Sequence, residues 1–166
     1  MGKVLAKMFY WKKKEVVTTI PGSLWDIDVE IITDNADVYI KKQFKDLKEE
    51  NTKAYLVINV SDACNLTGAY FSQLKKLDEE LSPLGLKIIA VPCLQYDKDK
   101  AKELTMERCG IRAEDAIRNK FKVNFTVLKS TIVNGVDCCD LYKWLRANCD
   151  YFNKNISPAN KKMQKY

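Results

Sequence analysis

The sequence predicts an α/β fold, and three observations carry that expectation. Ala54-Tyr55-Leu56-Val57-Ile58-Asn59-Val60 is a continuous β-prone run, as in a strand buried on both faces. From Thr67 the period changes: Tyr70, Phe71, Leu74, Leu77 and Leu81 recur at three-to-four spacing, one apolar stripe on a helix. Leu86-Lys87-Ile88-Ile89-Ala90-Val91 then returns to strand character and stops at Pro92. Strand, helix and strand in this order make a βαβ unit with a parallel sheet.

Upstream, Pro21-Gly22-Ser23 closes a lysine-rich N-terminal arm. Trp25 to Ile31 alternates apolar and polar residues with period two, the pattern of a half-buried strand. Thr33-Asp34-Asn35-Ala36-Asp37 supplies turn residues and Val38-Tyr39-Ile40 returns, so a β-hairpin precedes the βαβ unit. Phe44 and Leu47, three apart in a polar stretch, predict a single helical turn. Pro83 and Gly85 end the long helix. Beyond Pro92, Asp97 to Cys109 reads as helix with Gly110 as its stop, and Arg112 to Phe121 as a second helix. Val123 to Leu128 is short and apolar, and Val133-Asn134-Gly135 is a turn. Cys139 to Ala147 is a helix with Leu141, Trp144 and Leu145 on one side. The division is therefore a basic arm over 1–22, one domain over 23–148 and a polar tail over 149–166, with no internal repeat.

Composition excludes several function classes. The chain has 166 residues, of which 46% are hydrophobic, enough for one domain with a core. No apolar run approaches the roughly 20 residues of a membrane-spanning helix. The arm MGKVLAKMFYWKKK is too interrupted for a secretory signal core, and Ala6 breaks the myristoylation pattern begun by Gly2. It either packs on the domain, stays disordered or touches a membrane surface weakly. The net charge of +6 is almost all lysine. Lysine lacks the planar fork that reads phosphate or guanine, and no aromatic residues interleave with it as in a nucleic-acid platform. A solvated lysine surface and no nucleic-acid partner are expected. With 6 cysteines and no histidine, Cys–His zinc sites and histidine-activated nucleophiles are excluded, and without a C-x-x-C pair neither a thioredoxin-type dithiol nor an ordinary zinc ribbon is expected. Reduced thiols in a cytoplasmic protein are expected, with no metal and no bound cofactor.

Cys64 stands between the first parallel strand and the long helix. Loops at the carboxyl edge of an open parallel sheet gather ligands and reactive groups. Unpaired amide N–H groups and the dipole of the helix that starts near Thr67 favour thiolate there. The dipole is worth about 0.3–1 kcal/mol, up to about 2 when partly buried. One pKa unit is about 1.4 kcal/mol, so a thiol at about 8.5 reaches roughly 7 by this means alone. Strong activation needs further donors around the sulfur. The other reading of the same position is a small buried hydrophobe at a strand end, and the residues alone leave both open.

Ile58-Asn59-Val60-Ser61-Asp62-Ala63-Cys64-Asn65-Leu66-Thr67 resembles the active-site motif of the glutathione peroxidase family, V-N-V-A-S-x-C-G-x-T, whose cysteine or selenocysteine attacks peroxide. Leu86 to Tyr96 is similar to the family's L-x-I-L-A-F-P-C-N-Q-F, at a spacing that needs no gap. Val133-Asn134-Gly135 followed by Leu141-Tyr142-Lys143-Trp144-Leu145 is similar to V-N-G…P-L-[YW]-K-[WF]-L, and Leu24-Trp25-Asp26 to the family's opening. The resemblance spans residues 23 to 147. It implies a thioredoxin-like fold and a thiol peroxidase acting on hydrogen peroxide or organic and lipid hydroperoxides. It further implies a Cys64 sulfenic acid intermediate, with glutathione or thioredoxin as reducing co-substrate.

The chain also departs from the family pattern. Asp99 occupies the register of the family's catalytic glutamine, and Gln95 matches a different glutamine. Asn65 replaces the glycine after the reactive residue. The family's Trp-Asn pair lies on a strand beyond the K-W-L helix, and this sequence ends before such a strand; Asn124-Phe125 lies upstream of the turn, in the wrong place. The C-terminal ββα part is therefore expected to be missing. Its absence would leave the first parallel strand as an open edge, as in a truncated product, a fragment, or a protein that completes its sheet with a partner. Cys109 either takes the resolving role or is inert on its helix. Cys93 is expected to serve packing, Cys138 and Cys139 to be free thiols at a helix start, and Cys149 has no family role. The alternative to peroxidase activity is a catalytically impaired relative that works as a redox sensor or interaction module. The sequence does not determine the oligomeric state.

Overall fold

A computed structural model describes residues 22–33, 38–61, 67–93, 113–135 and 137–149. The hairpin pairs β1 (Asp28–Ile32) antiparallel with β2 (Tyr39–Gln43), Asp28 facing Gln43 and Ile32 facing Tyr39. Leu24-Trp25-Asp26 is a 3-10 turn and not the start of the strand. The Ser23 hydroxyl caps it, accepting from the Trp25 amide at 3.2 Å. The predicted single turn is a second 3-10 helix, Phe44–Leu47, whose two apolar residues are buried.

The parallel sheet follows as expected. β3 (Ala54–Val60), α1 (Thr67–Leu81) and β4 (Leu86–Pro92) form the βαβ unit, with β3 and β4 in register from Ala54↔Leu86 to Val60↔Pro92. β5 (Thr126–Val127) pairs parallel on the other side of β4 and is shorter than the apolar run suggested. The order is β3-β4-β5. An antiparallel bridge from Ile31 to Leu128, and the Lys129 amide donating to the Glu30 carbonyl at 2.7 Å, tie the hairpin to the β5 side.

β4 is the spine, and its alternation builds two cores. Ile89 and Val91 point into a cluster with Ile27, Val29, Phe44, Leu47 and Leu141. Ile88 and Ala90 point the other way, into a cluster with Ile32, Phe71, Leu74, Ile117 and Val127. α1 covers the second face, and α2 (Asp140–Ala147) with the Phe44–Leu47 turn covers the first. Leu141 is buried and Trp144 and Leu145 pack half-buried against the same core, as the helical spacing predicted.

Two sequence expectations need correction. β3 is half-buried along most of its length because, among the described residues, it pairs on one side only. A continuous apolar run records burial on both faces of a finished sheet, and β3 has one neighbour here. In α1, Phe71 and Leu74 are buried, but Tyr70 is 52% exposed and stands off the stripe. At 100° per residue Tyr70 and Phe71 cannot both face the core.

Arg112 to Phe121 is helical from Ala113, but its last part, Ala116–Lys120, is a π-helical turn. It carries Phe121 onto Phe71, with ring centroids 4.5 Å apart and planes at 16°. The Arg118 guanidinium then donates to the Ile32 carbonyl at 2.8 Å, joining this segment to the end of β1. The basic arm up to Pro21, the expected helix over 97–109 and the residues beyond Cys149, where the missing ββα part was expected, lie outside the described residues.

Candidate active site

The carboxyl ends of the three parallel strands lie side by side. The Cys93 amide donates to the Val60 carbonyl at 2.8 Å, and the Thr131 amide to the Pro92 carbonyl at 3.0 Å. β3 therefore ends at Val60 and Ser61 beside the end of β4, and five residues, 62–66, cross from there to the start of α1 at Thr67. Cys64 is the middle one and lies outside the described residues, as do Asp99, Gln95 and Cys109. Its two anchors are fixed: a buried strand end on one side and a helix start on the other.

α1 is 15 residues long and carries no acidic residue in its first turn. Helices commonly place Asp or Glu there to meet the positive end of the dipole. Here that turn carries none.

The other cysteines separate by environment. Cys93 is buried at the end of β4 within the first core cluster, where it packs as expected. Cys149 is exposed. Cys138 is 1% exposed and Cys139 half-buried, side by side ahead of α2, with Cys139 in the N-cap position. The hydrogen bond from the Cys138 thiol draws the Cys139 thiol down to about 6, against the opposing effect of burial. The Tyr142 amide, the Thr131 hydroxyl and the Leu141 amide act in the same direction, though the sulfur makes no regular capping hydrogen bond. The same contact, with burial, holds the Cys138 thiol well above the ordinary thiol range, only partly offset by Arg146.

Sequence reasoning missed Glu114. It is 1% exposed, accepting from the Tyr39 hydroxyl at 2.8 Å and the Ser130 amide at 2.6 Å. The signal was present: Glu114 precedes the buried Ile117 by three, a spacing that puts both on one helix face. Among the described residues no group of three or more Cys, Asp or Glu could hold a metal ion, and no helix is long and apolar enough to cross a membrane.

A parallel sheet with helical layers on both faces and a hairpin ahead of it is a thioredoxin-like arrangement. The family model for glutathione peroxidase matches residues 32–146. Probable glutathione peroxidase 2 of Arabidopsis thaliana is 30% identical over 159 residues, covering 88% of this chain and 84% of that protein. A probable phospholipid hydroperoxide glutathione peroxidase of Mesembryanthemum crystallinum is 31% identical over 105 residues, covering 62% of this chain and 57% of its own length. A solved structure, titled as the crystal structure of Trgpx in apo form, superposes with a TM-score of 0.51 at 22% identity over 77% of this chain and 66% of that one; at that identity it speaks to fold. The chain belongs to the glutathione peroxidase family, a family of peroxidase enzymes.

Proposed function

We propose that the chain reduces hydroperoxides through Cys64. The observation that carries this reading is position: Cys64 falls in the five-residue crossing from the carboxyl end of β3 to a helix whose first turn offers no competing carboxylate. The names of the relatives, glutathione peroxidase and phospholipid hydroperoxide glutathione peroxidase, support the same chemistry.

The Cys64 thiolate attacks the terminal oxygen of ROOH. The O–O bond breaks, RO⁻ leaves and takes a proton to become ROH, and the sulfur, oxidised by two electrons, becomes sulfenic acid. A thiol then condenses with the sulfenic acid, forming an S–S bond and releasing water. A second thiol attacks that disulfide and frees Cys64. Glutathione or thioredoxin supplies these thiols, with Cys109 as the resolving cysteine if the chain supplies one itself. The substrate class is hydrogen peroxide and organic or lipid hydroperoxides.

The test is Cys64→Ser. Peroxide consumption with glutathione, and separately with thioredoxin, is expected to fall to the uncatalysed rate; equal turnover by variant and parent would overturn the proposal. Asp99 favours a second reading, since a carboxylate opposes a thiolate where an amide would donate to it. On that reading the chain is a redox sensor or interaction module. Intact-mass analysis after stoichiometric peroxide separates the two, because a sensor keeps the one-turnover product and does not consume excess peroxide.

A further inference from the structure

A second thiol environment lies away from the Cys64 loop. Cys139 lines a cleft of about 230 Å³ between β1, the segment after β5 and the start of α2, with Thr131 on its wall and Cys138 buried behind it. A buried thiol touching a half-buried sulfur, with a hydroxyl and helix amides beside it and a space large enough for a small reagent in front, is a thiol-exchange geometry. We propose that Cys139, backed by Cys138, is a second reactive site of this chain, which exchanges with small disulfides.

The cleft wall is charged but balanced. Asp28, Glu30 and Asp140 contribute three carboxylates, and Lys129 one ammonium that is already paired with Glu30 at 3.0 Å. Lys143 holds Asp140 at 2.9 Å, and Lys143 and Arg146 are the cations of α2 that act on the thiol pair. The three carboxylates are thus matched by three cations, so the wall carries no net charge that would select a reagent by sign.

In the exchange, the Cys139 thiolate attacks one sulfur of R–S–S–R. A Cys139–S–S–R bond forms, the R–S–S–R bond breaks, and RS⁻ leaves and is protonated by water. Cys138 does not complete the cycle. Adjacent Cα atoms across a trans peptide are about 3.8 Å apart, below the roughly 4.4 Å at which disulfides begin to be relaxed. The mixed disulfide is therefore the product that accumulates, and the site is a place of reversible modification.

Rates follow from ionisation. At pH 6.5 a thiol near 6 is about 75% thiolate and an ordinary one near 8.5 about 1%, while the lower basicity costs roughly ten- to twenty-fold in nucleophilicity. The balance is a roughly five-fold advantage over an ordinary thiol. The experiment treats the reduced full chain with substoichiometric cystamine, a dication, or with anionic glutathione disulfide, from pH 5 to 8. Adducts are assigned by fragment-ion mass spectrometry, with Cys139→Ser and Cys138→Ser as controls. The expected result is an adduct on Cys139 ahead of Cys149 at pH 6.5, with a midpoint near 6. Modification of Cys149 alone, or a Cys139 midpoint above 8, would overturn the proposal. Because adducts are read residue by residue, the result does not depend on Cys64 being catalytic.

Discussion

Glu114 is the one buried charged residue among those described, and its removal has a size that can be worked out. It joins three separate pieces: the Tyr39 hydroxyl on β2, its own helical segment, and the Ser130 amide in the stretch that links β5 to the cysteine cleft. Hydrogen bonds to a charged partner contribute about 1.5–3 kcal/mol each. Glu114→Gln keeps one acceptor oxygen, so it loses one bond and is expected to cost about 1.5–3 kcal/mol. Glu114→Ala leaves the buried amide and hydroxyl both unmet and should cost about 3–5 kcal/mol. Tyr39→Phe removes the hydroxyl donor, so a double-mutant cycle with Glu114→Gln should show a coupling of at least about 1 kcal/mol. Urea unfolding followed by the fluorescence of Trp25 and Trp144 measures all of these. A Glu114→Gln variant within about 0.5 kcal/mol of the parent would refute the account, because it would mean that the carboxylate anchors nothing.

Other outcomes follow from single contacts. Gly85 has φ +105°, and a Cβ there would run into the Asn51 carbonyl oxygen, so Gly85→Ala is expected to destabilise the chain by about 2–4 kcal/mol in the same urea assay. Phe71 is buried and stacked on Phe121, so Phe71→Ala should cost about 3–5 kcal/mol and loosen the packing of α1, seen as faster amide exchange in that helix. The Cys139 thiol lies lower in the folded chain than the ordinary value near 8.5, so its thiolate adds stability that is fully present above the unfolded value and is lost as pH falls toward about 6. The stability gap between parent and Cys139→Ser should therefore widen from pH 6 to pH 8 and stay constant below 6; a gap independent of pH across that window would contradict the assignment.

Much of the architecture was legible in the chain because short-range patterns report directly on local geometry. The change from a continuous β-prone run at Ala54–Val60 to helical spacing after Thr67 located the βαβ unit, and Phe44 and Leu47 marked a single turn. The burial of Tyr70 was misjudged because periodicity identifies a stripe without fixing which of two adjacent members faces inward. Trp25 was placed in a strand because alternation does not detect a 3-10 turn capped by the preceding serine. The candidate site divides in the same way. Cys64, the thiol proposed here to react, was singled out by a motif, and the strand end and helix start that flank it are adjacent in sequence. Glu114 was not, because its partners are 75 and 16 residues away.

Sequence by itself determined the class of this protein. The order of strand and helix signals, the family motif at Cys64 and the lack of histidine are properties of neighbours along the chain, and they limit both fold and chemistry. Tertiary structure alone decided which thiol pair is tuned and what surrounds it. Cys138 and Cys139 are two residues in a row, but the hydroxyl of Thr131 reaches Cys139, and the residues of β1 close the cleft beside it, only when β1, the segment after β5 and α2 pack together. Electrostatic tuning depends on distance through space, and folding sets those distances between residues that the sequence keeps far apart.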